Sequence, residues 1–311
     1  MDALARLGTM SSKFSDIQLR GIDQPFSNFH EPSPLASLIS NGLHPWLADP
    51  WFLFAFLTGL VLGSFGNACI FRWPREESVR SGRSFCPHCQ KTILWFDNIP
   101  LLSWFLLMGK CRRCRGPISI RYPLTELLCG MAFALSYAAF HNSHIVASSL
   151  FLWALVVVFW IDIDHRIIPN EITIPLTISG IILAPWILPS ASDVFLQTIA
   201  FFAGVDSLIL PLPVLSMLGA AVGGGFVLVI RWIGQMIYGQ EAMGLGDVKL
   251  LMFVGAWLGP AGALKTLFLG SIIGGVLSIA LLLIRRVGRR SYIPFGPFLA
   301  IGAALALFRL P

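Results

Sequence analysis

The chain has 311 residues, of which 56% are hydrophobic and only 12% are charged, and its formal net charge is +6. Soluble domains carry about 25% charged residues, so this composition excludes an ordinary soluble globule and indicates a protein that crosses a membrane several times. Six cysteines are too few for a disulfide-framed secreted scaffold of this length.

The chain opens with residues 1–50, which contain no continuous apolar segment and are predicted to form an extracytoplasmic tail. Residues 51–71 follow as 21 positions without a charge, enough to cross a hydrocarbon core about 30 Å thick. Seven more spans are predicted near 124–140, 146–163, 172–190, 213–232, 248–259, 263–284 and 292–308. Residues 194–211 are also apolar but carry Asp206, which favours a re-entrant or interfacial insertion.

Lysine and arginine orient these spans, because basic residues are retained on the cytoplasmic side. The segment 72–122 holds ten of the 22 basic residues and only three acids. If this segment is cytoplasmic, alternation of the spans places 17 of the 22 basic residues inside, including the cluster at 285–290. The excess of basic residues is therefore interpreted as the signal that orients the spans in the membrane. Membrane lipids are the predicted contact, and no nucleic-acid partner is predicted.

The cytoplasmic segment contains two C-x-x-C pairs separated by 21 residues, a spacing that matches a four-cysteine zinc ribbon. The four candidate ligands are Cys86, Cys89, Cys111 and Cys114. Cytosolic thiols are kept reduced, and a segment of about 50 residues is too small for its own core, so a structural zinc ion is predicted. Two unrelated reduced pairs, or disulfides if the topology is inverted, are the alternatives.

Carboxylates are costly inside a membrane, so the few acids at the ends of the spans are candidate functional groups. Asp162 and Asp164 end the third predicted span, Asp247 begins the sixth, and Glu126 opens the second. The predicted topology puts all four at the cytoplasmic face. Because residues two apart on a helix point about 200° away from each other, only one of the first two can face a partner. Asp162 is the better buried candidate, and Asp164 is interpreted as a solvated helix end.

Asp247 is preceded by Gly244 and Gly246 in a G-x-G-D run. The glycines would let an extended substrate approach the backbone, although a loop-to-helix turn would use the same residues. Two carboxylates within hydrogen-bond reach share one proton, so one can act as a general base on water and the other as a general acid. The sequence contains neither H-E-x-x-H nor G-x-S-x-G. The pattern therefore favours aspartic-protease chemistry.

A set of motifs in a fixed order carries a family resemblance. The set comprises Gly63-Ser64-Phe65-Gly66-Asn67, Arg72-Trp73-Pro74, the two C-x-x-C pairs, Arg121-Tyr122-Pro123-Leu124-Thr125-Glu126, Ile161-Asp162, Pro169-Asn170, Gly244-Leu245-Gly246-Asp247 and Pro294-Phe295-Gly296-Pro297. Each motif is unspecific alone, but from about residue 55 to 305 the ordered set resembles the bifunctional type IV prepilin peptidase family, also called leader peptidase/N-methyltransferase.

The resemblance implies an intramembrane aspartic endopeptidase of the bacterial inner membrane. Its members remove the short basic leader of type IV prepilins and pseudopilins at the cytoplasmic face. They then methylate the new N-terminal residue with S-adenosylmethionine as the methyl donor. The family's catalytic aspartates fall on Asp162 and Asp247, with Gly244 and Gly246 in support. Methylation is associated with segment 72–122, and no residue is assigned to the donor.

Taken together, these patterns predict an all-α polytopic membrane protein with about eight transmembrane helices and a small zinc-ribbon-like cytoplasmic domain. Its parts are a tail (1–50), a first span (51–71), a cytoplasmic four-cysteine metal-binding loop associated with methylation (72–122) and a transmembrane aspartic peptidase domain (123–311).

Three features depart from the family pattern: the long tail, an apparent insertion at 190–212, and Asn170 where aspartate is frequent. Two other classes remain open from the residues alone. One is a proton- or ion-coupled transporter that uses Asp162, Asp164 and Asp247 as a relay. The other is an inactive scaffold for pilus assembly whose cysteine loop binds partners.

Overall fold

The computed structural model describes six ranges of the chain: 49–79, 83–140, 143–187, 211–239, 243–284 and 293–308. Every regular element within them is helical apart from two isolated β-bridges. Three predictions lie outside the described residues. They are the tail as far as residue 48, nearly all of the insertion at 190–212, and the basic cluster at 285–290.

The described ranges contain eight α-helices. They are α1 (Pro50–Arg72), α2 (Leu102–Leu106), α3 (Arg121–Ala139), α4 (Ser143–His165), α5 (Asn170–Ile187), α6 (Leu212–Tyr238), α7 (Leu245–Leu283) and α8 (Gly296–Leu307), with short 3₁₀ turns at Trp73–Arg75 and Trp95–Asn98. Four of them, α1, α4, α6 and α7, are long and apolar enough to cross a membrane. The prediction of an all-helical chain with membrane spans is confirmed at this level, and the count of eight spans stays a prediction.

Helix α7 differs from the prediction of separate spans at 248–259 and 263–284, because it includes both. Its 39 residues would extend about 58 Å if straight, well beyond a hydrocarbon core of about 30 Å. The helix is interrupted at Gly259, whose φ of 75° and ψ of 179° are accessible to glycine and strained for other residues. Pro260 follows and provides no backbone N–H. The two predicted spans are thus joined by a kink and not by a loop.

Helix α4 contacts helices that precede it in the chain and helices that follow it. It packs against α1, α3, α5 and α8. Its Phe151 ring also lies 5.1 Å from the ring of Phe253 and 5.8 Å from that of Trp257, both on α7. Helix α7 in turn packs extensively against α6 and α8. The last turn of α4 itself contacts the first residue of α8, Gly296, and the first residue of α3, Arg121.

The cysteine-bearing segment, residues 73–120, begins at the end of α1 and returns at the start of α3. These two helices pack closely, since a Cβ atom added at Gly63 would lie 2.7 Å from the Cα of Glu126. Small residues at such crossings let helix backbones approach in a membrane. The close packing places both anchor points of the segment next to each other.

Candidate active site

The two predicted catalytic acids are buried at helix ends, and each accepts a hydrogen bond from a backbone N–H. Asp162 lies in the last turn of α4, is 6% exposed, and accepts from the N–H of Gly296 at 3.0 Å. Asp247 lies in the first turn of α7, is 7% exposed, and accepts from the N–H of Gly244 at 3.2 Å. The backbone thereby fixes one oxygen of each carboxyl group.

The fold brings the end of α4, which bears Asp162, next to the start of α7, which bears Asp247. The loop after α4 touches the start of α7, where a Cβ atom added at Gly246 would lie 3.2 Å from the Cβ of Ile168. Phe295, directly before the residue that binds Asp162, lines a cavity of about 640 Å³ together with Asp247. Two adjacent carboxyl groups that hold one proton between them can divide the roles of general base and general acid.

The G-x-G-D run forms a loop-to-helix turn. Gly244 precedes α7 with an extended backbone (φ −74°, ψ 152°), and Asp247 is the third residue of the helix. Neither glycine of the run has a positive φ. At position 246 an added Cβ atom would lie 3.2 Å from the side chain of Ile168, and the predicted supporting role of both glycines in catalysis stays a prediction.

The cavity beside Asp247 is lined mainly by apolar side chains of α6, α7 and the approach to α8. They are Phe226, Ile230, Met243, Leu264, Leu267, Phe268, Ile293 and Phe295, with Ser271 as a polar member. Such a lining excludes charged groups and accommodates apolar parts of a ligand or polypeptide.

Gly296→Ala is expected to reduce activity of the aspartate pair about 10- to 100-fold without unfolding the chain, because misplacing a reacting group by about 1 Å can cost about 100-fold. The added Cβ would lie 2.5 Å from Oδ2 of Asp162, so the carboxyl group must move. The effect is measured as the rate of leader cleavage, the activity that the sequence resemblance implies. Gly225→Ala and Gly275→Ala are matched controls, since a Cβ atom at either position meets nothing within 4 Å. Equal rates in all three variants would show that the contact with Gly296 has no functional importance.

As the sequence suggested, Asp164 is an exposed residue in the last turn of α4, but it also has a charged partner. Its side chain is 29% exposed and forms an ion pair with Arg121, the first residue of α3. No local pattern points to this contact, because the two residues belong to different helices. The ion pair ties the end of α4, two residues beyond Asp162, to the point where the cysteine-bearing segment returns to the bundle.

The four predicted metal ligands are brought together, with all four Sγ atoms within 4.8 Å of one another. They are free thiols, and the Sγ atoms of Cys86 and Cys114 are 3.8 Å apart. Zinc–sulfur bonds of about 2.3 Å give a tetrahedron with edges of about 3.8 Å, so the cluster fits zinc. The backbone N–H groups of Cys114 and Arg113 lower the pKa of Cys111 to about 6.

The two C-x-x-C pairs adopt the same turn. The N–H of Gln90 donates to the carbonyl of Cys86 at 2.8 Å, and the N–H of Arg115 donates to the carbonyl of Cys111 at 2.9 Å. Gln90 and Arg115 both have a positive φ, 57° and 60°. A β-bridge closes each turn. This repetition explains how two distant cysteine pairs present their thiols to one point.

These features define a multi-pass helical membrane protein with two buried aspartates at adjoining helix ends and a four-cysteine cluster in the segment between α1 and α3. Residues 57–140 match the family model described as the bacterial peptidase A24 N-terminal domain. Residues 149–279 match the model of the type IV leader peptidase family. Together the two models cover more than half of the chain. The chain therefore belongs to the type IV leader peptidase family. The resemblance found in the ordered motifs is thus confirmed.

Curated relatives align with this chain over most of its length. The chain is 34% identical over 296 residues to a prepilin leader peptidase/N-methyltransferase of Aeromonas hydrophila, covering 86% of this chain and 93% of the relative. A protein of the same name from Stutzerimonas stutzeri is 33% identical, covering 88% and 94%. The type 4 prepilin-like proteins leader peptide-processing enzyme of Escherichia coli is 34% identical, covering 80% and 91%. No solved structure matches the chain.

Proposed function

We propose that this protein removes the leader of type IV prepilins and pseudopilins with Asp162 and Asp247, and then methylates the new N-terminus. Membership of the leader peptidase family and the names of the relatives support the two activities. The observation that carries the catalytic assignment is the pair of buried carboxyl groups that the adjoining ends of α4 and α7 contribute. Family membership also favours this function over the transporter and scaffold alternatives.

The aspartate pair would hydrolyse the peptide bond without a covalent intermediate on the enzyme. The ionised carboxylate takes a proton from water as the water oxygen attacks the scissile carbonyl carbon, while the protonated partner gives its proton to the carbonyl oxygen. The resulting tetrahedral species collapses when the amide nitrogen accepts a proton and leaves as an amine. Hydrogen bonds from Gly296 and Gly244 keep the two carboxyl groups in place during these transfers.

The proposed orientation puts the aspartates at the cytoplasmic face of a bacterial inner membrane. The end of α1, the start of α3, the end of α4 and the start of α7 adjoin one another in succession at one end of the bundle. The strongly basic segment 72–122 lies at this same end, which assigns it to the cytoplasm by the positive-inside rule. Eight spans result if α1, α3, α4, α5, α6, the two parts of α7, and α8 all cross the membrane.

The proposed division of the chain gives segment 72–122 the methylation role and 123–311 the peptidase role, behind a tail (1–50) and a first span (51–71). Four cysteine thiolates close the coordination shell of zinc, so the metal would hold the segment together and would not activate water. S-adenosylmethionine is the proposed methyl donor, as the family resemblance implies.

A single assay tests this proposal. Purified full-length protein is incubated with a leader-bearing prepilin and S-adenosylmethionine, and mass spectrometry follows both leader loss and methylation. We expect a shortened product with a methylated N-terminus. Glu171→Gln, an exposed acid at the start of α5, should leave both reactions unchanged. An intact prepilin would contradict the peptidase assignment, and a shortened but unmethylated product would contradict the methyltransferase assignment alone.

A further inference from the structure

A second cavity, of about 530 Å³, lies between the cysteine-bearing segment and the adjoining ends of α1 and α3. Small-molecule sites typically have volumes of about 300–1,000 Å³. Neither Asp162 nor Asp247 lines this cavity, so it is distinct from the aspartate pair. Hydrolysis of the leader does not require a cavity at this position.

Two buried polar side chains, Asn67 of α1 and Glu126 of α3, line the helical wall of the cavity. Asn67 is 5% exposed, and its Nδ2 donates to the carbonyl of Tyr122 at 3.0 Å. Its Oδ1 is buried and has no hydrogen-bond partner among the residues that the structure describes. An orphaned buried acceptor of this kind is uncommon in folded proteins and indicates a missing partner.

Glu126 is 8% exposed and accepts a hydrogen bond from the N–H of Leu101 at 2.9 Å. Neither of the ion pairs within the described ranges includes Glu126. Its carboxyl group therefore has no cationic partner among the described residues. A buried carboxylate is stabilised by a nearby positive charge. The helical wall therefore suits a ligand that brings a cation of its own.

The opposite wall, from the cysteine-bearing segment, adds an aromatic ring and basic groups. Trp104 lines the cavity, and its Nε1 donates to the carbonyl of Ile118 at 3.1 Å, which fixes the indole ring. Lys91 and Arg113 also line this side and are exposed. A planar heterocycle can stack on the indole, and a carboxylate can pair with the basic groups.

We propose that this cavity binds S-adenosylmethionine, with the sulfonium beside Glu126 and Asn67 and the adenine near Trp104. The ligand has a permanent cation, a planar base and a terminal carboxylate, which match the three kinds of groups that the walls provide. The inference rests on the proposed methyltransferase activity and deepens it by locating the donor. It also explains why the methylation segment encloses a cavity that the peptidase reaction does not need.

The walls would position the two reactants for a direct transfer. The new N-terminal amine enters as the free base, having lost a proton to solvent, and its lone pair attacks the methyl carbon. A carbon–nitrogen bond forms as the carbon–sulfur bond breaks, the positive charge passes from sulfur to nitrogen, and S-adenosylhomocysteine leaves. Glu126 would be a positioning group that binds the donor cation, and it would not exchange a proton.

One ion pair connects this cavity to the peptidase site. Arg121 lines the cavity and pairs with Asp164, which is two residues after Asp162 on α4. The cleaved N-terminus would therefore move only along one end of the bundle between hydrolysis and methylation. This arrangement suits two reactions that act on the same chain end in succession.

Calorimetric binding of S-adenosylmethionine and of S-adenosylhomocysteine to the detergent-solubilised full-length protein tests the proposal. Glu126→Gln keeps an acceptor for the N–H of Leu101 but removes the negative charge. We expect it to weaken S-adenosylmethionine binding about tenfold or more, whereas S-adenosylhomocysteine, which has no sulfonium, should change less than about threefold. Leader cleavage should stay within about twofold of the wild type, showing that the variant is folded.

A second variant, Ala68→Phe, places a large side chain in the cavity and leaves Glu126 in place. Ala68→Phe should weaken the binding of both ligands equally and leave leader cleavage unchanged. Glu171→Gln should alter the binding of neither ligand. Wild-type-like affinities in both cavity variants would overturn the location while the proposed function stands. Cleavage without any donor binding by the wild-type protein would overturn the location and the methyltransferase assignment together.

Discussion

Asp247→Asn and Asp162→Asn are each expected to lower the rate of leader cleavage by about 10³-fold or more. An amide keeps the size of the carboxyl group but can neither take a proton from water nor give one to the carbonyl oxygen. Its oxygen can still accept the hydrogen bond that Gly244 or Gly296 provides, so the fold should persist. Initial rates with purified enzyme and a leader-bearing prepilin measure the effect.

Two controls separate loss of chemistry from loss of structure. Glu171→Gln removes an exposed acid at the start of α5 and should cleave at the wild-type rate. Both asparagine variants should still bind S-adenosylmethionine, because neither aspartate lines the second cavity. Cleavage near the wild-type rate by a folded Asp247→Asn protein would exclude the pair as the water-activating group.

Local patterns in the sequence predicted the helices and the cysteine cluster well. Long uncharged apolar stretches specify helices in a membrane, because the backbone must satisfy its own hydrogen bonds there. The spacing within each C-x-x-C pair specifies one turn, and the structure shows that turn twice, at Cys86 and at Cys111. Gly259 shows the limit of this reasoning, since an apolar pattern interrupted by glycine and proline fits a loop as well as a kink.

Contacts between distant residues could not be predicted in the same way. The carboxyl group of Asp162 is held by Gly296, 134 positions later, and neither residue has a local pattern that points to the other. The sequence identified Pro294-Phe295-Gly296-Pro297 as a motif without giving it a role. Position 296 needs glycine because a side chain there would meet the carboxyl group.

Glu126 illustrates the same limit for the second cavity. The sequence marked it as an acid at a membrane edge, but its burial depends on Leu101, which returns from the cysteine-bearing segment with a positive φ of 59°. No periodicity predicts that such a loop will fold back onto α3. Enclosed cavities arise from packing between elements, so sequence patterns indicate their parts and not their assembly.

Removing the proposed zinc ion is expected to impair methylation far more than leader cleavage. Regular structure in the cysteine-bearing segment is limited to one five-residue helix, two 3₁₀ turns and two isolated β-bridges within the described residues. Segments this small usually depend on a metal for folding. The aspartate pair, in contrast, is held by α4, α7 and α8. Cys86→Ser or Cys111→Ser should lower methylation about 10- to 100-fold and cleavage less than about threefold.

Metal content, limited proteolysis and product mass spectra together check this expectation. The wild-type protein should contain one zinc ion per chain, and either serine variant should lose it and become sensitive to protease within 83–120. Treatment of the wild-type protein with a chelator should reproduce the effect, and added zinc should reverse it, which the serine variants cannot do. A purified metal-free protein that methylates at the full rate would exclude a structural role for the ion, since the cavity beneath the cluster would then form without it.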